Sequence, residues 1–424
     1  MLDSRPLPTA PRRRPSTYPP VPRGPDRRTD LPRFLPNDND PRQAMPAKTL
    51  RRRKPTPMRL AAAAAALLAS PLALAGTTIE LNDRTSLSIG GGLRVSYSST
   101  EESAPGTGRD KDVALENARL YLSARYDKVF GFTLNTEIRR DPSGNEDGIR
   151  ALDAYVQYEP SPVFNIWAGR LLPPGDRAHL DGPFYLMAWD YPFVTQYPGH
   201  TIGRDNGVTV WGKPLDGKLT YVIGAFEGHN RCRGCSNDDR NPLYAARLAY
   251  AFLDAEPAPG YYTSSTYYGA KDILSVGVAG MYQADGVGRS STEKDDYTGY
   301  SLDLLFEKNL GPGVLTLEGI AYEYDFDVVD AALYRKNIGG LTAGNGYQAG
   351  AAWLFPQVIG YGKFQPHVRY QRFEPDDGAE MRSVEVGLSY LIDGQNAKLM
   401  AVYTDTETAG TKRDRFLIGA QFQY

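Results

Sequence analysis

Six charged residues stand in one connection of the chain, residues 171–205, which is the longest stretch without strand-like alternation after residue 76. They are Asp176, Arg177, Asp181, Asp190, Arg204 and Asp205. Fixed charges of both signs select ions when they surround a narrow aqueous passage. We therefore predict that these six residues form the constriction of a pore.

The chain has 2 Cys, and both lie in one short motif, Cys232-Arg233-Gly234-Cys235. Such spacing occurs in redox pairs and in half of a zinc site. No second Cys pair exists, and His229 alone does not complete a tetrahedral ligand set. The sequence therefore predicts a local disulfide between Cys232 and Cys235, with no metal site and no cofactor.

A hydrolytic site would need a nucleophile beside a base. His367 is followed by Ser383 and Glu385 on the next strand-like segment. By alternation, His367 lies on the polar face of its segment, which is the inner face if the strand-like segments form a barrel, as argued below. A barrel enzyme that acts on lipid needs its site on the outer face. We expect no enzymatic activity.

These residues are positioned by segments in which apolar and polar side chains alternate. In 117–126, for example, Leu120 and Leu122 alternate with Arg119 and Tyr121. This period of two is the signal of a half-buried strand. We predict sixteen strands at 86–98, 113–126, 131–139, 149–159, 162–170, 206–213, 218–228, 242–254, 272–283, 297–307, 314–325, 346–355, 363–374, 383–392, 397–405 and 414–424.

The connections between these segments alternate long and short, and only 255–271 breaks the rule. An even number of strands about ten residues long, with short turns at one end and long loops at the other, is typical of outer-membrane barrels. Aromatic residues near the strand ends fit an interfacial girdle: Tyr97, Tyr126, Tyr158, Tyr250, Tyr370, Tyr390 and Tyr424. The alternative is a soluble β-sandwich, which would not explain the loop asymmetry.

One face of each strand is polar, as the wall of a water-filled lumen requires. We predict the pore-lining residues to be Arg94, Arg119, Arg125, Lys213, Arg369 and Arg415. The connection 171–205 is also rich in apolar residues such as Phe184 and Trp189, which must be buried. The fold class we predict is therefore an all-β, sixteen-stranded antiparallel transmembrane β-barrel whose long third loop folds inward. A lid packed over the mouth is the alternative.

The first 75 residues differ from the rest. Residues 1–57 are rich in Pro and Arg and are expected to be disordered; we expect them to lie upstream of the true start, at Met58 or Met45 rather than Met1. Residues 58–75 have the charged start, short apolar core and A-x-A end of a signal peptide, with cleavage between Ala75 and Gly76. The barrel then spans 76–424.

Charge separates the two parts. The whole chain has 48 Lys and Arg against 50 Asp and Glu, a net charge of −2. Residues 76–424 alone carry 33 basic and 45 acidic residues, a net of −12. This part is too acidic for a general nucleic-acid binder. A basic arm for nucleic acid within 1–57 is the alternative for that segment.

The stretch 150–228 resembles the phosphate-selective porin O and P family. The resemblance rests on D-A-Y-V-Q-Y at 153–158, W-A-G-R-L-L-P-P-G at 167–175, the aromatic loop that follows, and G-R-D-N-G-V-T-V-W-G at 203–212. It implies a homotrimer with passive diffusion of small anions such as phosphate or polyphosphate. It also implies a lining role for Arg119, Arg125, Arg177, Arg204, Arg369 and Arg415.

We therefore predict an exported porin of the bacterial outer membrane, in contact with outer-membrane lipid and lipopolysaccharide, that passes small inorganic anions. The net charge of −12 supports an alternative, a general or weakly cation-preferring diffusion porin. A second alternative is an adhesive or structural barrel with a plugged lumen.

Overall fold

The computed structural model describes residues 76–102, 108–139, 148–195, 203–228, 241–290, 293–327, 343–376 and 378–424. The proposed disordered segment 1–57, the signal peptide 58–75 with Ala75, and the Cys232/Cys235 pair lie outside the described residues. Gly76 is the first residue described.

Strands dominate the described chain. They are β1 Thr77–Asn82, β2 Thr85–Glu101, β3 Arg109–Tyr126, β4 Phe130–Arg139, β5 Gly148–Ser161, β6 Phe164–Leu171, β7 Asp205–Gly212, β8 Leu219–Phe226, β9 Leu243–Ala251, β10 Ile273–Ser290, β11 Glu293–Asn309, β12 Val314–Asp325, β13 Gly344–Leu354, β14 Lys363–Pro375, β15 Met381–Asp393, β16 Ala397–Thr408 and β17 Thr411–Gln423. One short helix, α1 Arg177–Leu180, lies between β6 and β7.

Sixteen of these strands form a closed antiparallel barrel. Each of β2 to β17 pairs with its neighbours in sequence, and β17 pairs with β2 to close the ring. All sixteen predicted strands are therefore confirmed. The short β1 pairs with the first part of β2, from Thr85 to Ile89, while β17 pairs with the remainder. The first and last described strands thus share one edge of β2.

The outer face of the barrel is apolar, as the alternation predicts. Leu120 is 65% exposed, Val156 is 61% exposed and Ile223 is 63% exposed. Tyr126 and Tyr250, from the predicted aromatic girdle, also point outward near the strand ends. No helix in the described part of the chain is long and apolar enough to cross a bilayer. The exposed apolar strands are those of a barrel surrounded by lipid.

Some predicted loops are continuations of strands. Residues 284–296 were expected to form a loop, but β10 and β11 stay paired up to Ser290 and Glu293. The backbone hydrogen bonds of an antiparallel hairpin can continue after the strand leaves the apolar belt. The sequence of this stretch is rich in Gly and polar residues, so the alternation disappears although the pairing does not.

The connections at the other end are short, with two to eight residues, apart from one exception. In the turn after β3, Asp127 and Lys128 both have positive φ angles, of 52° and 61°, as in the mirror-image turns that suit two-residue hairpins. The exception is the connection 252–272 between β9 and β10, which sequence analysis also finds irregular.

Candidate functional site

The described part of the third loop, residues 172–195 and 203–204, lies inside the barrel. Wall residues from strands far apart in the ring hold its backbone: Arg94 of β2, Asp303 of β11, Arg369 of β14 and Lys398 of β16. Only a segment in the lumen can reach all four strands. Arg94 shows the contact most clearly, because its Nη2 donates to the Trp189 carbonyl (2.5 Å) and its guanidinium lies 4.0 Å from the Trp189 ring centroid.

The loop begins with α1, which Asp176 caps. Its Oδ1 accepts from the backbone N–H of His179 (3.0 Å), as an N-cap carboxylate does, and also from the Tyr322 hydroxyl of β12 (2.8 Å). Burial raises the pKa of Asp176 to about 6, while these two hydrogen bonds act in the opposite direction and lower it. Asp176 therefore holds the helix against the wall and does not face an open passage.

Arg177 is fully buried between two carboxylates. Its Nη1 and Nη2 donate to the two carboxylate oxygens of Glu256 (2.9 and 2.5 Å), and Nη1 also donates to the Ser264 carbonyl (3.0 Å). Its backbone N–H donates to Asp303 (3.2 Å). A side chain in this position cannot touch a permeating ion, so Arg177 has a structural role.

Asp181 forms part of a buried carboxyl pair. The Ser265 hydroxyl lies 2.7 Å from Asp181 Oδ2 and 3.0 Å from Glu318 Oε1, and Thr263 Oγ1 donates to Asp181 Oδ1 (2.5 Å). Two carboxylates that share one hydroxyl in a buried place repel each other, which favours the protonated form of one of them. Burial and then the neighbouring charge of Glu318 raise the pKa of Asp181 well above its ordinary value.

The other three predicted constriction residues differ in accessibility. Asp190 has a side chain that is 46% exposed, and Arg415 Nη1 lies 2.6 Å from its Oδ2. Arg204 is nearly buried and pairs with Asp153 (2.8 Å). Asp205 is buried at the start of β7, where its two oxygens accept two backbone N–H groups. Of the six predicted constriction residues, Asp190 is the one with substantial contact with water.

All six predicted lining residues lie on the lumen side: Arg94, Arg119, Arg125, Lys213, Arg369 and Arg415. Three of them, Arg119, Arg125 and Arg369, pair with carboxylates of the wall. Arg119 Nε is 3.1 Å from Glu137, and both side chains are buried. Arg125 Nη1 is 2.5 Å from Glu159, and its side chain is 34% exposed.

Two of these basic residues are anchors. Lys213 Nζ donates to the Ala258 carbonyl (2.6 Å) of the 252–272 connection. Arg369 donates to the Asp190 carbonyl (2.8 Å) and to Glu385 (2.8 Å), which is also 3.3 Å from His367. Most of the positive charge predicted to line the pore thus holds inward segments in place.

Sequence reasoning missed the glycines on which the loop packs. A Cβ placed on Gly419 would lie 2.5 Å from the Trp189 ring, and one on Gly92 would lie 2.6 Å from Phe184. Gly350 meets Met187 in the same way, at 2.8 Å. The available signal is a glycine on the lumen-facing parity of a strand, where a wall residue with no side chain makes room for a bulky loop residue.

The lumen has two distinct regions. The packed sector is the inner face of β6 to β10, where the wall is covered and holds a cluster of buried apolar side chains beside buried polar ones such as Arg247. The apolar residues are Trp167, Leu171, Trp211, Val222, Phe226 and Leu243. The accessible strip is the part of the inner face of β3 and β4 on the short-turn side of the buried Arg119–Glu137 pair, where side chains are partly exposed: Tyr121, Ser123, Arg125, Thr133 and Asn135.

Aromatic contacts fill the packed sector. Trp167 stacks on Tyr155 with ring centroids 4.9 Å apart, and it also contacts Trp211 (5.2 Å) and Tyr261 (5.0 Å). Tyr261 belongs to the 252–272 connection, so two inward segments share this core. No group of His, Cys, Asp and Glu suited to a metal ion is found among the described residues.

A closed sixteen-stranded barrel with a lipid-facing apolar surface and charged residues inside defines an outer-membrane channel. The family model for Gram-negative porins matches residues 61–304, and the chain belongs to this family. Its location is accordingly the outer membrane, and the family and the fold are those of a channel.

Solved structures share the fold at low sequence identity. An anion-selective porin from Comamonas acidovorans is 16% identical, covering 80% of this chain and 100% of that one, with a TM-score of 0.55. The outer membrane channel DcaP of Acinetobacter baumannii is 12% identical over 83% of this chain and 100% of its own, with a TM-score of 0.54. OmpT of Vibrio cholerae, in its trimer form, is 13% identical over 81% of this chain and 100% of its own (TM-score 0.52).

A relative in sequence is an uncharacterized protein of Aquifex aeolicus, 25% identical over 240 residues. That match spans 53% of this chain and 53% of the relative.

Proposed function

We propose that this porin lets small hydrophilic solutes diffuse passively along the accessible strip, with weak charge preference. The observation that carries the proposal is the difference in burial across the lumen. Ser123, Arg125, Thr133 and Asn135 keep accessible surface on β3 and β4, whereas the inner face of β6 to β10 is covered. Polar walls that bind solutes weakly allow both entry and exit.

The charges along this route occur as pairs of opposite sign. Arg125 and Glu159 lie near the short-turn end of the barrel, and Arg415 and Asp190 lie near the long-loop end. Paired charges largely cancel at a distance, and salt screens what remains. This pairing favours a general diffusion porin over a strongly selective one.

Passage of phosphate or polyphosphate is the second candidate. It is favoured by the resemblance of 150–228 to phosphate-selective porins, by the likeness in fold to an anion-selective porin, and by the partial exposure of Arg125 and Arg415. An anion would have to compete with Glu159 and Asp190 for these guanidinium groups, and this competition places the anion-selective channel second.

The assembly is part of the same proposal. A homotrimer is supported by the family resemblance and by the trimer form of a porin with the same fold. The apolar outer face, with residues such as Leu120 and Val156, would contact both lipid and neighbouring subunits. Export through the signal peptide 58–75 and contact with lipopolysaccharide complete the proposal.

The test is the reversal potential of purified protein in a planar bilayer under a salt gradient, with phosphate added afterwards. We expect steady ion current, a reversal potential close to zero, and no block by phosphate. A strongly anion-selective potential with phosphate block would establish the second candidate instead. Absence of current would contradict both and favour a plugged barrel.

A matched pair of variants sharpens this test. Arg125→Gln removes a charge that faces the lumen, so the reversal potential should shift toward cation preference. Arg382→Gln removes an exposed arginine that pairs with Glu407 on the outer face, so the potential should stay unchanged.

A further inference from the structure

The connection 252–272 enters the lumen from the short-turn end. Its ends are exposed, but its middle part is buried: Tyr261 is 1% exposed, Ser265 is 1% exposed and Thr266 is 0% exposed. The turns on either side of it at this end, 213–218 and 310–313, have six and four residues. A buried segment of this length inside a barrel must occupy space that would otherwise be open.

The segment 252–272 forms hydrogen bonds with the third loop at several points. Glu256 accepts hydrogen bonds from the two terminal guanidinium nitrogens of Arg177, Nη1 (2.9 Å) and Nη2 (2.5 Å). Tyr261 donates its hydroxyl to the Leu172 carbonyl (2.7 Å). Because the third loop runs in from the long-loop end, these contacts join two insertions that enter the barrel from opposite ends.

The same segment is also fixed to the wall. Glu307 of β11 accepts hydrogen bonds from Thr266 Oγ1 (2.5 Å) and from the backbone N–H groups of Tyr267 (3.1 Å) and Gly269 (2.8 Å). Three donors converging on one buried carboxylate hold a backbone in a defined place. Because the segment is fixed to the wall, its contacts with the third loop hold that loop in place relative to the wall.

We propose that the segment 252–272 is a second constriction element, and that Glu256 is the positioning residue that fixes the third loop and so sets the size limit for solutes passing along the accessible strip. This inference rests on the proposed diffusion function. It assigns part of the size limit to a segment on the short-turn side of the barrel.

Glu256 is suited to this role because it binds both terminal nitrogens of Arg177, whose side chain is fully buried. Burial opposes the ionisation of Glu256. The positive charge of Arg177 and the hydrogen bonds from Arg177, Ser275 and Tyr267 outweigh burial and lower the pKa of Glu256 to about 2. The carboxylate thus stays ionised at any ordinary pH. Removing it would leave Arg177 buried with a weaker partner, an arrangement that is strongly unfavourable.

The test compares single-channel conductance and the exclusion limit for neutral sugars in liposomes, using the full-length protein. In Glu256→Gln the clamp on Arg177 is lost, so we expect the conductance to rise several-fold and larger sugars to enter. The matched control is Asp272→Asn, in the same segment but exposed and 3.8 Å from Lys308, which should behave as the wild type does.

A folded Glu256→Gln protein with wild-type conductance and exclusion limit would overturn the inference. If that variant does not fold, the milder pair Thr263→Ala with Ser265→Ala, which removes the hydrogen bonds to Asp181, serves instead. A raised exclusion limit in that pair supports the inference, and an unchanged limit overturns it. Wild-type protein that carries no current would contradict the diffusion function itself.

Discussion

The packed sector and the accessible strip belong to the same barrel, yet their inner faces have opposite character. On β6 to β10 the wall presents Trp167, Trp211 and Phe226, and the two inward segments cover it. On β3 and β4 it presents Ser123 and Asn135, and water reaches it. A sixteen-stranded lumen is too wide for wall side chains alone to fill. The chemistry of the inner face therefore decides where an inward loop docks and where a passage remains.

The strongest test of this difference between the packed sector and the accessible strip is to remove the third loop. Deleting 176–200 should expose both regions, because the cover of the packed sector is lost and the strip widens. We expect the largest effect here, a several-fold rise in single-channel conductance measured in planar bilayers. Unchanged conductance in a folded deletion variant would show that the loop does not occupy the passage.

Single substitutions in the two regions should have different consequences. Trp167→Ala removes the centre of the aromatic cluster and should lower the free energy of unfolding by roughly 3–5 kcal/mol, measured by urea denaturation. Tyr121→Ala lies in the strip and should raise conductance with a smaller loss of stability. The comparison fails if Trp167→Ala alone widens the channel, or if Tyr121→Ala leaves conductance as it was.

The pH should act on the junction of the two inward segments. The pKa of Asp181 is raised, so its neutral form stabilises the folded contact with Ser265 and Glu318 in acid. This stabilisation is lost as the pH rises from the ordinary carboxyl pKa of about 4 through the raised value. We expect larger current fluctuations at the higher pH, although the nearby Arg177 charge opposes the effect.

Asp181→Asn should remove this response, because an amide stays neutral at every pH. The control is Asp190→Asn, which neutralises an exposed carboxylate of the same loop and should leave the response in place. Current fluctuations that still grow with pH in Asp181→Asn would assign the effect to another group.

The smallest expected effect is on selectivity at the long-loop end. Arg415→Gln leaves Asp190 without its partner at 2.6 Å, so a small shift of the reversal potential toward cations should follow. Exposed ion pairs are worth about 0–1 kcal/mol, and stability should hardly change. A shift toward anions would contradict the assignment of this pair to the passage.

Alternation was sufficient to predict the barrel, because a strand that separates lipid from lumen needs two faces of different polarity. The same signal could not separate the two regions of the lumen. Trp211 and Val222 face inward, where alternation alone would expect polar residues in a water-filled barrel. They are apolar because the third loop and 252–272 pack on them, and no local pattern shows such long-range contacts.

Charge was the weakest guide to the site. Arg177, Arg204 and Arg369 are the residue types that an anion channel would use, but each is held by a carboxylate of the wall or of an inward segment. A sequence gives the number of charges and not their pairing. The irregular connection 255–271 was the useful signal, because a long segment at the short-turn end requires a structural explanation.

The central claim is that solutes pass along β3 and β4 and not along β6 to β10. Two single-cysteine proteins test it, Ser123→Cys in the strip and Thr209→Cys in the packed sector, both with Cys232 and Cys235 replaced by Ser. A charged thiol reagent is added while ion current is recorded. The account predicts rapid modification and reduced current for Ser123→Cys, with no response from Thr209→Cys, because Thr209 is fully buried. Rapid block of Thr209→Cys with no effect at Ser123→Cys would contradict it.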